Sequence, residues 1–167
     1  MFVWYARFMI SREALAYCAG RALNTVRTEA AIDWAMTELC NGKDTPTLRI
    51  LAGLSPQTPP AELESYFRRA CNELRYEVPS DDDVVYEFVV DLARQYREGA
   101  ISRAELVTRT YQCWSDTDDV RIEDLATTLD ALWDGVIAHA YVSDEAAMDA
   151  EILNFLTRAE ANPKSKI

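Results

Sequence analysis

The sequence predicts an all-α fold, a single compact domain of about eight helices in an orthogonal or bundle-like arrangement. Apolar residues recur at intervals of three and four along most of the chain, which is the period of an amphipathic helix. Helix caps precede these segments, and glycine follows several of them. The valine-rich run at 84–93 also has its apolar residues in pairs every three or four positions, so it predicts a helix and not a strand.

Four helices are predicted in the first half of the chain. Ser11, Thr28 and Thr45 precede three of them as hydroxyl caps, and Pro46 follows at the first helical position, where proline is favoured. Gly42 stands just past the second helix, where a left-handed residue commonly ends a helix. The predicted spans are 11–23, 28–40, 47–52 and 60–75.

The second half of the chain predicts four more helices. Ser80 caps a helix whose first turn contains three aspartates, and negative charge is favourable at that end of the helix dipole. Gly99 ends this helix, and Ser102 with Glu105 forms a capping box at the start of the next one. Asp144 caps the last helix. The predicted spans are 81–98, 103–115, 122–141 and 145–161.

The length of the chain indicates one domain. A chain of 167 residues is long enough to bury about two thirds of its unfolded surface. The clearest loop is the proline-rich segment 55–60, which offers a subdivision into residues 1–54 and 61–161. The apolar stretch Met1–Ile10 is too short to span a bilayer and contains Arg7, so neither a membrane span nor a signal peptide is predicted.

Residues on the apolar helix faces are expected in the core. The second helix would bury Met36, and the sixth would bury Tyr111 and Trp114. The four cysteines lie at least 22 residues apart without a C-x-x-C pair, which excludes local zinc knuckles and a dense disulfide framework. They are expected as small buried hydrophobic residues in a reducing cytoplasm: Cys18, Cys40, Cys71 and Cys113.

Two segments resemble patterns that recur in small bacterial helical proteins. The first has Trp34 followed by the run from Gly42 to Leu54, Gly-Lys-Asp-Thr-Pro-Thr-Leu-Arg-Ile-Leu-Ala-Gly-Leu. The second runs from Glu98 to Glu105, Glu-Gly-Ala-Ile-Ser-Arg-Ala-Glu. Together they cover under half of the chain. The resemblance implies a bacterial source and a compact helical domain, and it transfers no catalytic residue.

Acidic residues are concentrated in the second half of the chain. The protein has a net charge of −11. Residues 1–78 contain nine acidic and nine basic side chains, whereas residues 79–160 contain nineteen and six, a net charge of −13. Because such a surface repels phosphates, direct binding of DNA or RNA is not expected, and a basic protein is the expected partner.

No pattern for catalysis, a metal or a cofactor occurs in the sequence. His139 is the only histidine, which excludes histidine clusters for zinc and the paired Glu-x-x-His motifs of di-iron bundles. Neither a G-x-S-x-G elbow nor a glycine-rich phosphate loop is present. The segment from Asp116 starts like a calcium loop, but its sixth position is Arg121 instead of glycine. We therefore predict a non-enzymatic protein without catalytic residues, metal ligands or a cofactor.

The acidic side chains of the second half are the candidate binding residues. Our first hypothesis is a protein-binding domain whose acidic helical face captures a basic partner, as an immunity or antitoxin-like inhibitor would cover the positively charged cleft of a toxin such as a nuclease. Tyr86 or Trp114 would serve as an aromatic anchor. Solubility is the simpler explanation of the same charge. The predicted partner-binding residues are Asp81, Asp82, Asp83, Glu87, Asp91, Asp116, Asp118 and Asp119.

Two other hypotheses remain open. A helical adaptor or homo-oligomer would associate through an apolar face, for which Met1–Ile10 is the candidate segment. An enzyme or metal-binding bundle would use carboxylates spaced four residues apart, such as Glu87 with Asp91 or Asp130 with Asp134. Both pairs are expected on solvated faces. The oligomeric state does not follow from the sequence.

Overall fold

The protein is all-α, as the sequence predicts. The computed structural model describes residues 11–25, 28–137 and 144–161, the side chains of 132–137 and 144–145 excepted. Within these residues the chain forms helices joined by turns and short connections, with no strand. The eight helices are α1 (Arg12–Ala22), α2 (Thr28–Cys40), α3 (Pro46–Ala52), α4 (Pro60–Leu74), α5 (Asp81–Arg97), α6 (Arg103–Thr117), α7 (Val120–Ile137) and α8 (Asp144–Ala161).

The chain divides into two compact units. Unit 1 is Met1–Val84 and unit 2 is Val85–Ile167, so the division falls inside α5. The proline-rich loop 55–60, at which the sequence offers a subdivision, lies within unit 1 and joins α3 to α4.

Aromatic side chains form the centre of unit 1. Here α2 packs against α1, α3 and α4, and α3 packs against α4. The ring centroid of Phe67 lies 4.6 Å from that of Tyr17 and 4.8 Å from that of Trp34. All three side chains are at most 1% exposed. Since burial of a large apolar side chain stabilises by about 1.5–3 kcal/mol, these rings form a main part of the core of this unit.

In unit 2, α6 packs against α7 and α7 packs against α8. Tyr86 on α5 contacts Phe155 on α8 with ring centroids 6.0 Å apart. Leu106, Ile122 and Leu125 are fully buried and supply aliphatic core from α6 and α7. The core therefore draws on all four helices of the unit.

The segment Gly42–Leu54 encodes the connection from α2 to α3. Gly42 has φ +82°, the left-handed conformation in which a side chain would be strained, and it follows the last residues of α2. The Thr45 hydroxyl accepts the Leu48 backbone N–H at 3.3 Å and caps α3, as predicted. Hydrogen bonds from the Thr45 and Thr47 hydroxyls lower the pKa of Glu73 on α4. The residues of this segment thus end α2, cap α3 and hold α3 against α4.

The segment Glu98–Glu105 has the same kind of role between α5 and α6. Gly99 has φ +73° and ends α5, as predicted. The Glu105 backbone N–H donates to the Ser102 hydroxyl at 3.2 Å, and the Ser102 backbone N–H donates to the Glu105 carboxylate at 2.9 Å. This reciprocal pair is the predicted capping box, and it lowers the pKa of Glu105.

The prediction that Met36 is buried is wrong, since its side chain is 52% exposed. The buried arc of α2 includes Trp34, at 0%, and Glu38, at 3% exposed. At 100° per residue Met36 lies about 200° from Trp34, on the opposite side of the helix. The Glu38 carboxylate therefore lies in the core, a position that the pattern of apolar residues does not predict for it.

Two further burial predictions are wrong. Tyr111 is 39% exposed instead of facing inward, because the buried arc of α6 is filled by its neighbours Val107, Thr110 and Cys113. Cys40, the last residue of α2, is exposed. The other three cysteines are buried, as predicted: Cys18, Cys71 and Cys113.

Candidate functional site

The three aspartates at the start of α5 are exposed, and none of them is without a partner. The Ser80 hydroxyl accepts the Asp83 backbone N–H at 3.3 Å and donates to the Asp83 carboxylate at 2.8 Å. Asp81 forms an ion pair with Arg21 of α1. Asp82 is exposed on the same turn. These carboxylates lie at the positive end of the α5 dipole and help to begin the helix.

The structure places one of the predicted acidic binding residues of α5 in the core. Asp91 is 1% exposed, and its carboxylate accepts the Gln95 side-chain amide at 2.6 Å. Glu87 is half-buried. Asp91 lies seven residues after Val84 and three after Phe88, which places it on the buried stripe of the helix. The expectation that Glu87 and Asp91 share a solvated face is therefore wrong for Asp91, and this carboxylate is not on the surface.

The acids around the connection from α6 to α7 divide into one structural residue and two exposed ones. Asp119 accepts the Arg121 backbone N–H at 2.9 Å and pairs with the Arg121 guanidinium at 2.7 Å, so it begins α7. The same guanidinium lies over the Tyr86 ring, 4.7 Å from its centroid. Asp116 and Asp118 are exposed, and neither forms an ion pair within the part of the chain that the structure describes.

A cleft of about 390 Å³ lies along one side of α6 and reaches α7. Its residues on α6 extend over about 13 Å of helix and, at 100° per residue, over about half of the helix circumference. Tyr111 is its exposed aromatic side chain, held edge-on against Trp114 with ring centroids 5.5 Å apart. The cleft is lined by Val107, Thr108, Tyr111, Gln112, Ser115, Asp116 and Asp130.

The described lining of the cleft includes the apolar side chain of Val107 and the carboxylates of Asp116 and Asp130. Val107 is 3% exposed, whereas Asp116 is exposed and Asp130 is half-buried. Among the eight predicted binding residues, only Asp116 lines this cleft. Tyr111 and Asp130 were not predicted there. The α6 pattern contains a signal for Tyr111, because the stripe through Leu106, Thr110 and Cys113 is complete without it.

Tyr86 and Trp114, the two predicted aromatic anchors, differ in access. Tyr86 is 9% exposed and packs against Phe155, so it belongs to the core of unit 2. Trp114 is half-buried and supports the Tyr111 ring. Tyr111 is therefore the aromatic side chain of α6 that offers the larger free surface.

Unit 1 contains a buried polar cluster that the sequence did not indicate. The Glu38 carboxylate pairs with Lys43 at 2.7 Å and accepts a hydrogen bond from the Tyr76 hydroxyl at 3.0 Å. Burial raises the pKa of Tyr76, and hydrogen bonds to Glu38 and Tyr76 raise the pKa of Lys43 against the opposing effect of burial. Tyrosine thus stays protonated and lysine charged at neutral pH, which suits a structural ion pair and not a base or nucleophile.

The buried thiols are likewise unsuited to act as nucleophiles. Burial raises the pKa of Cys18, Cys71 and Cys113 to about 12. Since the thiolate is the reactive form of cysteine, these side chains are weak nucleophiles at neutral pH.

Several predictions concern residues that lie outside the described part of the chain. These are His139, the segment Met1–Ile10 and the side chain of Asp134. The adaptor or oligomer hypothesis, which depends on Met1–Ile10, stays a prediction. Within the residues described, no group of three or more His, Cys, Asp or Glu is arranged to hold a metal ion.

No protein-family model matches the chain, and neither a curated protein nor a solved structure is similar to it. Over residues 11–25, 28–137 and 144–161, no helix combines the length and the apolar character needed to cross a bilayer. The site must therefore be judged from its own geometry and charge.

Proposed function

We propose that this protein is a non-enzymatic protein-binding domain whose acidic C-terminal part captures a basic protein partner. In its most specific form it is a bacterial immunity or antitoxin-like inhibitor, acting in the cytoplasm by covering a positively charged cleft such as that of a nuclease. The observation that carries the proposal is the α6 cleft, which exposed Tyr111 lines together with Asp116 and Asp130.

The charge of unit 2 supports a basic partner. Residues 85–167 contain sixteen acidic and eight basic side chains, a net charge of −8. A surface of one sign attracts a partner of the other sign over about 10 Å at 0.1 M salt and accelerates their association. Asp116 and Asp118 lie at the C-terminal end of α6, the negative end of the helix dipole, which adds to the attraction of a cation.

The exposed ring of Tyr111 supports direct binding of a partner in addition to electrostatic attraction. Tyrosine is among the residues that contribute most to protein interfaces, because its ring buries a large apolar area while its hydroxyl remains hydrogen-bonded. A ring that is already 39% exposed next to acidic groups can bury apolar area against a partner without opening the fold.

The test is capture of the partner by the tagged full-length protein from the lysate of its source, at about 50 and about 300 mM salt. The variant Asp116→Asn/Asp118→Asn removes two exposed charges from unit 2. Its matched control, Asp33→Asn/Glu62→Gln, removes two exposed charges from unit 1. We expect a basic protein to be retained at low salt by the wild type and the control, and to be released by the unit 2 variant.

Two results would contradict the proposal. Recovery of the protein alone at both salt concentrations would favour the homo-oligomer. Equal loss of the partner in both double variants would mean that net charge alone attracts it and that α6 contributes no site.

A further inference from the structure

We propose that the α6 cleft receives a single arginine side chain of the basic partner, with the guanidinium stacked on Tyr111 and bonded to the carboxylates of Asp116 and Asp130. This inference rests on the proposed function and specifies how that function recognises its partner. It concerns unit 2 alone, since each of the described residues that line the cleft belongs to α6 or α7.

The cleft is large enough to admit one long side chain. Its volume of about 390 Å³ lies at the lower end of the range of roughly 300–1,000 Å³ that is common for ligand sites. Buried Val107 forms an apolar floor for the aliphatic stem of a long side chain, and Gln112 and Ser115 supply further hydrogen-bonding groups.

Unit 2 already holds one of its own arginines in the proposed manner. The Arg121 guanidinium lies 4.7 Å from the Tyr86 ring centroid while Asp119 binds it at 2.7 Å. A tyrosine face and a carboxylate thus position one guanidinium inside the unit. The cleft offers the same two groups, Tyr111 with Asp116, on the surface.

The carboxylates of the cleft have charge available for a partner. Within the described residues, neither Asp116 nor Asp130 forms an ion pair with an arginine or lysine of the chain. Tyr111 keeps 39% of its surface accessible. An incoming cation therefore does not have to displace an internal one.

Arginine suits this cleft better than lysine. Its guanidinium is planar, presents five N–H donors and is weakly hydrated, so it can stack on a ring and bond to carboxylates at the same time. Lysine is a compact, strongly hydrated charge that would satisfy the carboxylates but gain little from the ring. The occupant is thus distinguished by shape as well as charge.

The test uses the full-length protein and three short peptides, blocked at both ends, that carry one arginine, one lysine or one neutral citrulline between glycines. Binding is followed by NMR through the backbone amides of the assigned protein. We expect the arginine peptide to shift the amides of Tyr111, Asp116 and Asp130, and to bind about fivefold more tightly than the lysine peptide. The citrulline peptide should cause no saturable shift.

Variants distinguish binding in the cleft from attraction by the overall negative charge. Tyr111→Leu keeps an apolar side chain but removes the ring face, and it should make arginine and lysine bind equally. Asp130→Asn should weaken the arginine peptide about tenfold, whereas Asp33→Asn in unit 1 should leave it unchanged.

The outcomes distinguish this inference from the proposed function. Equal binding of arginine and lysine to the wild type, or shifts away from α6, would overturn the arginine cleft. If a captured partner then still depends on Asp116 and Asp118, the acidic binding surface stands without it. Selective arginine binding with no partner captured would support the cleft and count against the proposed function.

Discussion

Residues 1–84 and residues 85–167 use their acidic side chains in different ways. In unit 1, Glu64 binds Arg21, Arg68 and the Tyr17 hydroxyl, and Glu38 binds Lys43. Twelve acids stand against nine bases there, a net charge of −3. Unit 2 has sixteen acids and eight bases, so its carboxylates exceed the cations available to them.

The same contrast holds for large side chains. In unit 1 the rings of Tyr17, Trp34 and Phe67 are closed into the core. Among the described aromatic side chains of unit 2, Tyr111 is the most exposed, and it lines the cleft together with Asp116 and Asp130. Unit 1 thus pairs Glu64 and Glu38 with its own cations and buries its central rings, whereas Tyr111 and Asp116 of unit 2 are exposed.

The largest expected effect compares an aromatic side chain of each unit. Phe67→Ala leaves a cavity between Tyr17 and Trp34, and we expect a loss of about 4 kcal/mol in the free energy of unfolding. Tyr111→Ala removes only a partly exposed ring and its edge contact with Trp114, so about 1 kcal/mol or less should be lost. Urea unfolding followed by circular dichroism measures both. Equal losses in the free energy of unfolding would contradict the distinction between a core ring and a surface ring.

The next effect concerns alkaline pH. Burial raises the pKa of Cys18 and Cys71 in unit 1 and of Cys113 in unit 2 from 9.0 to about 12. Because the folded state then holds these protons more tightly than the unfolded state, their contribution is complete below pH 9 and falls as pH rises toward 12. We expect each thiol to account for about 3 kcal/mol of the loss by pH 11.

Urea unfolding at pH 8 and pH 11 tests this expectation. Cys71→Ala and Cys113→Ala should each lose less stability than the wild type over that interval. The exposed Cys40 provides the control, and Cys40→Ala should follow the wild type. Parallel pH profiles for all four proteins would show that the buried thiols do not carry the alkaline sensitivity.

The smallest effect tests the Glu38–Lys43 ion pair of unit 1, of which the carboxylate is buried. Glu38→Ala leaves the Tyr76 hydroxyl, in a residue that is 6% exposed, without its acceptor, and we expect a loss of about 1.5 kcal/mol. Lys43 adds little to this figure because its side chain is 44% exposed and reaches solvent. Asp44→Asn breaks an exposed pair with Arg49 and should leave unfolding nearly unchanged. A greater loss for Asp44→Asn than for Glu38→Ala would contradict this ranking.

Helix ends were predictable because neighbouring residues determine them. The Ser11 and Thr45 caps, the left-handed Gly42 and Gly99 and the capping box at Ser102 all form as predicted. Each depends on a hydrogen bond or a backbone angle within about four residues of the signal. The apolar period likewise determined the all-α class.

The candidate site was only partly predictable. Its charge and the position of Asp116 follow from the sequence, but Asp91 proved buried and Tyr111 proved exposed. Asp91 lies on the buried stripe that contains Val84 and Phe88, and a carboxylate is a poor signal for such a position. Tyr111 lies just outside the arc that α6 buries.

The sequence by itself therefore determined the class of fold, the helix ends and the excess of acid in the second half. Only the tertiary structure decided which polar groups are buried and which apolar ones remain accessible. Glu38 can occupy the core because Tyr76, 38 residues away, donates a hydrogen bond to it. Burial of a polar group depends on such distant partners, which local sequence patterns do not specify.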